Sequence, residues 1–305
     1  MTTTSVRLPI FFALIISASI APMRVAHADD SLRYSLPWQL RPVTIDDGAR
    51  VDAAAAAFND PQGNFDVALS TMFATSYKVT DHWAPLLRLG VISNNAPGAA
   101  LDGSSFVNPV VGATYARREH NYRFALTLAT TIPIGMGGGD APDPRVARTN
   151  AAASTARPAD QAMFEVNYLT ESVGVAVAYV GHGFTAQADA MLHQGFRVRG
   201  SEAADSGGGA RTSGAVGLHL GAFIGSHISV GADLRYQRWL SEPTIMAAAD
   251  TTTIAIGPRL HFRIGKEMSI HPGFSLSRGI DARGLDAPLV TSQATTVQLD
   301  LPVTF

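Results

Sequence analysis

The residues of this chain best equipped for chemistry are a set of arginines, histidines and aspartates that recur at strand-compatible spacing. Arg88, Arg123, Asp189, His193, Arg197, His219, Asp233, Arg235, Arg259, His261, Arg263 and His271 each have an apolar residue on at least one side, and Asp66 and Asp300 share the pattern. Arginine stays charged at any physiological pH, and its planar fork matches the two oxygens of a carboxylate or phosphate. Rings of arginine facing an aqueous path favour anions. The same groups can also brace one another as Arg–Asp and His–His pairs, because charges inside a low-dielectric space are commonly paired. Both roles stay open at this stage. Counting from the turns sets His219, Asp233 and Arg259 at similar heights on three neighbouring strands and His261 opposite His271. A slip of one residue would flip every one of these positions. Replacing Arg259 and Arg263 by glutamate is the expected way to reverse an ion preference.

Catalytic chemistry finds less support. A nucleophile needs an adjacent base that is oriented by a third group. The nearest spacing of that kind is His227 with Ser229 at a short turn, and no GxSxG, HExxH or Walker pattern occurs. The glycine runs Gly137–Gly139 and Gly207–Gly209 lack a strand–helix context for phosphate binding. Asp140 and Asp143 offer too few oxygens for calcium, which takes six to eight. No catalytic residue, metal or cofactor is expected, and the chain is not read as an enzyme.

The elements that carry these residues alternate with a period of two. Phe65, Val67, Leu69, Thr71 and Phe73 fall on one parity and Asp66, Ala68, Ser70 and Met72 on the other. Tyr122, Phe124, Leu126 and Leu128 alternate with Arg123, Ala125, Thr127 and Ala129, and Ile228, Val230, Ala232 and Leu234 with Ser229, Gly231, Asp233 and Arg235. This period assigns the two sets to opposite faces of strands. Strands are expected near 49–58, 64–77, 83–92, 105–117, 122–134, 171–181, 184–199, 212–224, 227–240, 251–264, 268–280 and 293–305. Short connections alternate with longer ones near 93–104, 135–160, 200–211, 241–250 and 281–292; the first hairpin, NDPQGN, is short where the count expects a long one. The Gly-, Pro- and Ala-rich stretch 135–161 reads as a mobile surface loop of the kind that folds into a mouth as a gate, and residues 162–171 as part loop and part strand.

Composition decides which side the apolar face takes. Of 305 residues, 46% are hydrophobic and only 16% charged, against about 25% in a typical soluble domain. Lys78 and Lys266 are the only lysines. A soluble sandwich would need charge on its outer face, whereas a membrane barrel turns apolar side chains to lipid and polar or small ones to the lumen. The expected fold is therefore an all-β transmembrane antiparallel up-and-down barrel of about 12 strands over 49–305. Tyr77, Trp83, Tyr115, Tyr122, Tyr179, Phe184, Phe262 and Phe305 have lipid-facing parity at the strand ends assigned to the periplasm, as interfacial aromatics should. A net charge of −2 excludes a strongly basic nucleic-acid binder, so no nucleic-acid partner is expected.

Residues 1–28 read as a secretory signal peptide: Arg7, then the apolar LPIFFALIISASIA, then Ala26 and Ala28 before a cut at Asp29. The exported chain would carry 21 basic and 25 acidic residues and no cysteine. Residues 29–48, with Trp38, Pro37 and Pro42, precede the first strand as a periplasmic plug or a flexible leader.

The last strand, with Val297, Leu299, Leu301, Val303 and Phe305 on alternate positions, resembles the C-terminal insertion signal of bacterial outer-membrane barrels. That resemblance implies a Gram-negative outer membrane, contact with its lipid, recognition by the barrel-assembly machinery, and closure of the last strand against the first. Size and strand count are similar to porin-like or solute-channel barrels, and more loosely to barrels of aromatic-degradation pathways. The expected role is a channel or transporter for small-molecule solutes, anionic or aromatic, through an Arg/His-lined lumen. A closed-lumen barrel whose loops bind a ligand or partner is the alternative.

Overall fold

The computed structural model describes residues 33–59, 65–94, 103–201, 208–241, 251–265, 268–280 and 294–305. The signal peptide and the first hairpin loop expected above lie outside these residues. Fifteen strand segments form one antiparallel sheet: β1 (Gly48–Asn59), β2 (Phe65–Ser76), β3 (Trp83–Asn94), β4 (Gly103–Phe106), β5 (Val110–Glu119), β6 (Tyr122–Thr131), β7 (Tyr168–Gly181), β8 (Phe184–Arg197), β9 (Ala210–Ile224), β10 (Ile228–Trp239), β11 (Thr251–Leu260), β12 (Phe262–Ile264), β13 (Met268–Ile270), β14 (Gly273–Ile280) and β15 (Thr295–Thr304). Three of the segments merely continue a neighbour. β4 and β5 both pair with β3, β12 extends β11, and β13 extends β14. Twelve staves result, each bonded to its sequence neighbours, and β15 pairs with β1 (Leu299 opposite Ala53) to close the ring. Closure leaves no free edge, which a sheet in lipid requires.

The faces follow the alternation. On β9, Leu218 and Leu220 are 53% and 56% exposed, while His219 between them is 0% exposed. Phe65, Leu69 and Phe73 on β2, and Val297 and Leu299 on β15, likewise point away from the lumen. The buried side is polar or small: Asp52, Asp66, Ser70, Thr127, Asp189, Asp233 and Asp300. Among the described residues no helix is long and apolar enough to cross a membrane. At the end with the short turns, Trp83 packs edge-on against Tyr115 at 5.3 Å and Tyr122 against Tyr179 at 5.6 Å. Tyr77 and Phe305 are also exposed at that end.

From Pro144 onward, the stretch expected as a surface loop at 135–161 is largely helical and packs inside the barrel. β6 stops at Thr131, earlier than expected, because Pro133 has no N–H for the ladder. Helix α1 (Pro144–Ala156) follows, then a 3₁₀ turn (Pro158–Asp160) and the short helix α2 (Gln161–Phe164). Asp143 caps α1 by accepting Arg145 N–H at 2.8 Å, with Pro144 at the first helical position. Thr149, Ala152 and Ala153 are buried at helical spacing. Because this face is alanine and threonine, it carries little hydrophobic periodicity and reads as loop in sequence. It packs on lumen-facing residues: Ala153, Met163 and Phe164 join Met72, Ile92, Val107, Val110 and Ala129 in one apolar cluster.

Candidate functional site: the lumen

Two segments fill the lumen from opposite ends. From the short-turn end comes the leader before β1. Trp38, Leu40 and Val43 are buried in it, and Asp233 of β10 accepts the backbone N–H of Trp38 at 2.8 Å and of Gln39 at 2.6 Å. Thr185 of β8 accepts Ser35 N–H at 2.9 Å, Gln187 donates to Arg41 O at 2.8 Å, and Thr253 donates to Gln39 at 2.8 Å. Small residues on the wall make room. A Cβ on Gly221 would lie 2.2 Å from Ser35 Oγ, and one on Gly217 would lie 2.8 Å from Leu40 Cγ. These contacts place the segment inside the barrel.

The insert between β6 and β7 fills the long-loop half. Arg148 of α1 meets Asp66 of β2 at 3.0 Å, and Thr149 donates to Asn94 of β3 at 2.9 Å. Its strongest anchor belongs to a chain of alternating charges. Arg259 of β11 bonds Asp300 of β15 at 2.6 Å, Asp300 takes Arg50 of β1 at 2.8 Å, and Arg50 lies 3.9 Å from Asp52. Asp52 pairs with Arg157 of the insert, which holds Asp160 at 2.7 Å, and Asp160 takes Arg88 of β3 at 2.6 Å. Arginines stand at both ends of this chain. Burial alone would push the Asp160 carboxyl up, but Arg88 and Arg157 outweigh it and hold the carboxyl well below the usual range. For Arg157, burial is likewise outweighed by Asp52 and Asp160, which drive its pKa up.

Between leader and insert lies a charged waist. Arg41 of the leader is close enough to Arg88, Arg235, Asp160 and Asp189 to feel their charges. Burial, with Arg88 next, brings it down to about 10. Asp189 of β8, Gly217 of β9 and Arg235 of β10 form one row across three strands. Neither Asp189 oxygen has a hydrogen-bond partner, and neither do Nε and Nη2 of Arg235. The Arg41 backbone N–H approaches Asp189 without reaching hydrogen-bond geometry. Just beyond this row a small cavity, lined by Gln161, Glu165, His193, Ser213 and Gln237, separates the insert from the β8–β10 wall.

The remaining residues of the sequence-derived set scatter along the lumen. His219 Nδ1 and Asp233 Oδ1 are 2.6 Å apart. Arg259 is not level with them, since its register partner on β10 is Ser229, four residues nearer the short-turn end; it stacks over Trp38 at 4.1 Å. The expected common height fails because β10 and β11 are joined by a long connection, whose length does not fix their register, whereas the short turn between β9 and β10 does. His261 and His271 meet at 2.9 Å through their Nδ1 atoms, and His261 Nε2 lies 2.8 Å from Ser229 Oγ. Ser172 with His193 at 2.8 Å and Ser226 with His227 at 2.6 Å make similar contacts, so a Ser–His pair is no distinguishing mark here. Arg123 stacks over Tyr34 of the leader at 4.9 Å. Arg197 donates to the Tyr168 hydroxyl at 2.7 Å and to Gly208 O at 2.9 Å, at the long-loop mouth. Arg263 is exposed on β12 beside the short turn, away from the waist. Asp143 serves as a helix cap, and Asp140 accepts Ser201 N–H at 2.6 Å. Among the described residues no three His, Cys, Asp or Glu side chains come together as a metal site.

Sequence reading missed Arg41, Arg50, Asp52, Arg157 and Asp160. Arg50 and Asp52 were within reach of it, since they share the inward parity of β1. The other three lie on segments without strand periodicity.

A closed twelve-stave barrel with an apolar exterior, a charged interior and two lumenal segments has the fold of the bacterial outer-membrane barrels. A solved outer-membrane channel from Pseudomonas putida F1 is similar in fold, with a TM-score of 0.54 at 14% identity over 87% of this chain and 100% of that one. The NanC porin aligns over 84% of this chain and 98% of its own with a TM-score of 0.48 and 9% identity. The CymD monoaromatic hydrocarbon channel aligns over 91% and 95% with a TM-score of 0.40 and 8% identity. No family model matches the sequence. No curated protein matches it either.

Proposed function

We propose that the protein is a gated outer-membrane channel for small anionic solutes, aromatic acids among them. The observation that carries this reading is the waist, where Arg41, Arg88 and Arg235 share one space and Asp160 is already engaged by Arg88 and Arg157. A surplus of fixed positive charge in a narrow low-dielectric passage attracts anions and repels cations. The solute path runs along the β8–β10 wall. There the insert makes the polar contacts Glu165 with Arg211 at 3.1 Å and Gln161 with Gln237, whereas its apolar cluster is committed to the opposite side. Arg211 stacks over the buried ring of Tyr168 at 3.6 Å near the mouth of this path and is thereby held in place as a further fixed positive charge. The reading includes no catalytic step.

The test is planar-bilayer recording with reversal potentials in a salt gradient. Wild-type protein should favour anions, and Arg235→Glu should reverse the preference. Arg235 is a cleaner probe than Arg259, whose pairing with Asp300 holds the wall together. Unchanged selectivity in Arg235→Glu would remove the waist from the path. The second reading is a closed-lumen barrel that binds a ligand or partner through its loops, and it is favoured by the two segments that fill both halves. Absence of any unitary current, in wild type and in a variant with a loosened insert, would favour it. Recognition of Phe305 and the outward residues of β15 by the assembly machinery belongs to the same proposal, and loss of heat-modifiable barrel on deleting Phe305 tests it.

A further inference from the structure

Asp189 and Arg235 face one another from β8 and β10 across Gly217, with Cα atoms about 10 Å apart at the usual strand spacing. They are 8% and 3% exposed, and both oxygens of the one and Nε and Nη2 of the other lack hydrogen-bond partners. Opposite charges in one buried row would normally close on each other or on neighbours, because an unpartnered buried charge is costly. Here the leader prevents it. A Cβ built on Gly217 would lie 2.6 Å from Asp189 Oδ1 and 2.8 Å from Leu40 Cγ, so the aliphatic side chain is wedged into the row beside the carboxylate.

The free edges are complementary to one kind of small molecule. Nε–H and Nη2–H form the side of the guanidinium that takes both oxygens of a carboxylate. The free oxygens of Asp189 accept donors, and an ammonium satisfies them best. We propose that Asp189 and Arg235 bind a zwitterion of the amino-acid type, carboxylate on Arg235 and ammonium on Asp189, in the space that Leu40 fills in this structure. Gly217 is the residue that keeps this space open on the wall side. The backbone on either side of Leu40 is held independently, by Asp233 at Trp38 and Gln39 and by Gln187 at Arg41, so its side chain is the part that must swing aside. The proposal rests on the channel reading, because a solute must reach the waist, and it extends the carboxylate preference to neutral solutes whose carboxylate is accompanied by an ammonium.

The test uses the full barrel in detergent micelles, with phenylalanine, N-acetylphenylalanine and phenethylamine compared by titration calorimetry. A site built for both charges should bind phenylalanine at least about tenfold more tightly than either single-charge analogue, since the analogue leaves a buried group unpaired. Asp189→Asn and Arg235→Gln should each abolish that preference, and Leu40→Ala should strengthen phenylalanine binding. Heat-modifiable migration of each variant controls for folding. Equal binding of phenylalanine and its N-acetyl derivative, or no binding even in Leu40→Ala, would overturn the proposal. Zwitterion preference without conductance would support the site and sink the channel. Conductance without that preference would do the reverse.

Discussion

Asp160 of the lumenal insert accepts Arg88 Nη1 of the barrel wall at 2.6 Å, and the same carboxylate holds Arg157 at 2.7 Å. Through Arg157 the contact continues to Asp52, Arg50, Asp300 and Arg259, so the insert is the middle of a charge chain that begins and ends on the wall. A latch of this kind holds one segment in place without an apolar interface on every side.

Asp160→Asn removes the latch. It leaves the buried Arg157 and the half-buried Arg88 short of a partner, and breaking a buried pair on one side costs about 3–5 kcal/mol. The insert should undock more often while the barrel stays closed, because β1 and β15 pair through backbone. Trypsin cleavage at Arg145 and Arg148 of folded protein should quicken, and mean channel current should rise. An unchanged cleavage rate would show that the latch does not hold the insert.

Acid should act on the same group. The Asp160 pKa is lower in the docked state than in the undocked one, where the ordinary value is 3.8. The docked state is therefore fully favoured above about pH 4, and that advantage is lost as the pH falls below it toward the lowered value. Protection of the insert against pepsin, assayed with the protease present at each pH, should be full near pH 4 and weaken progressively as the pH falls below it. Asp160→Asn should abolish this pH step. The same step in the variant would assign it to another group.

The leader hangs on Asp233, which accepts two backbone N–H groups and the His219 ring. Hydrogen bonds to a charged acceptor contribute about 1.5–3 kcal/mol each, so Asp233→Ala should release the segment. Trp38 reports it: in a background with Trp83 and Trp239 replaced by phenylalanine, emission should shift to the red and acrylamide quenching should increase. Retained blue emission would place the hold elsewhere, with Arg259 stacked on the indole as the nearest candidate.

Gly221→Val tests the fit of the leader from the wall side. Its Cβ would overlap Ser35 Oγ, yet the β9 ladder is unaffected by a β-branched residue. Channel current should increase with no loss of heat resistance of the barrel. Loss of both would mean that the strand, not the leader, was disturbed.

Strand periodicity made the wall of this protein readable from sequence. The residues Phe65 to Met72 and Ile228 to Arg235 show both faces, because a period of two has only one translation into a pleated strand. Low charge and scarce lysine then decided that the apolar face looks outward. The contacts of His219 with Asp233 and of His261 with His271 were legible as far as register could be counted from short turns, and the height of Arg259 was not, because a long connection joins its strand to β10.

The sequence by itself determined the number of staves and the sign of each face, both of which are local properties of the chain. Only the tertiary structure decided what occupies the lumen. Arg41, Arg157 and Asp160 lie on segments whose alanines, glycines and prolines carry no period, and their positions come from charge pairing with strands distant in sequence. Whether an inward arginine braces the wall or remains free for a solute depends on such partners: Arg259 has Asp300, and Arg235 keeps two unpartnered nitrogens.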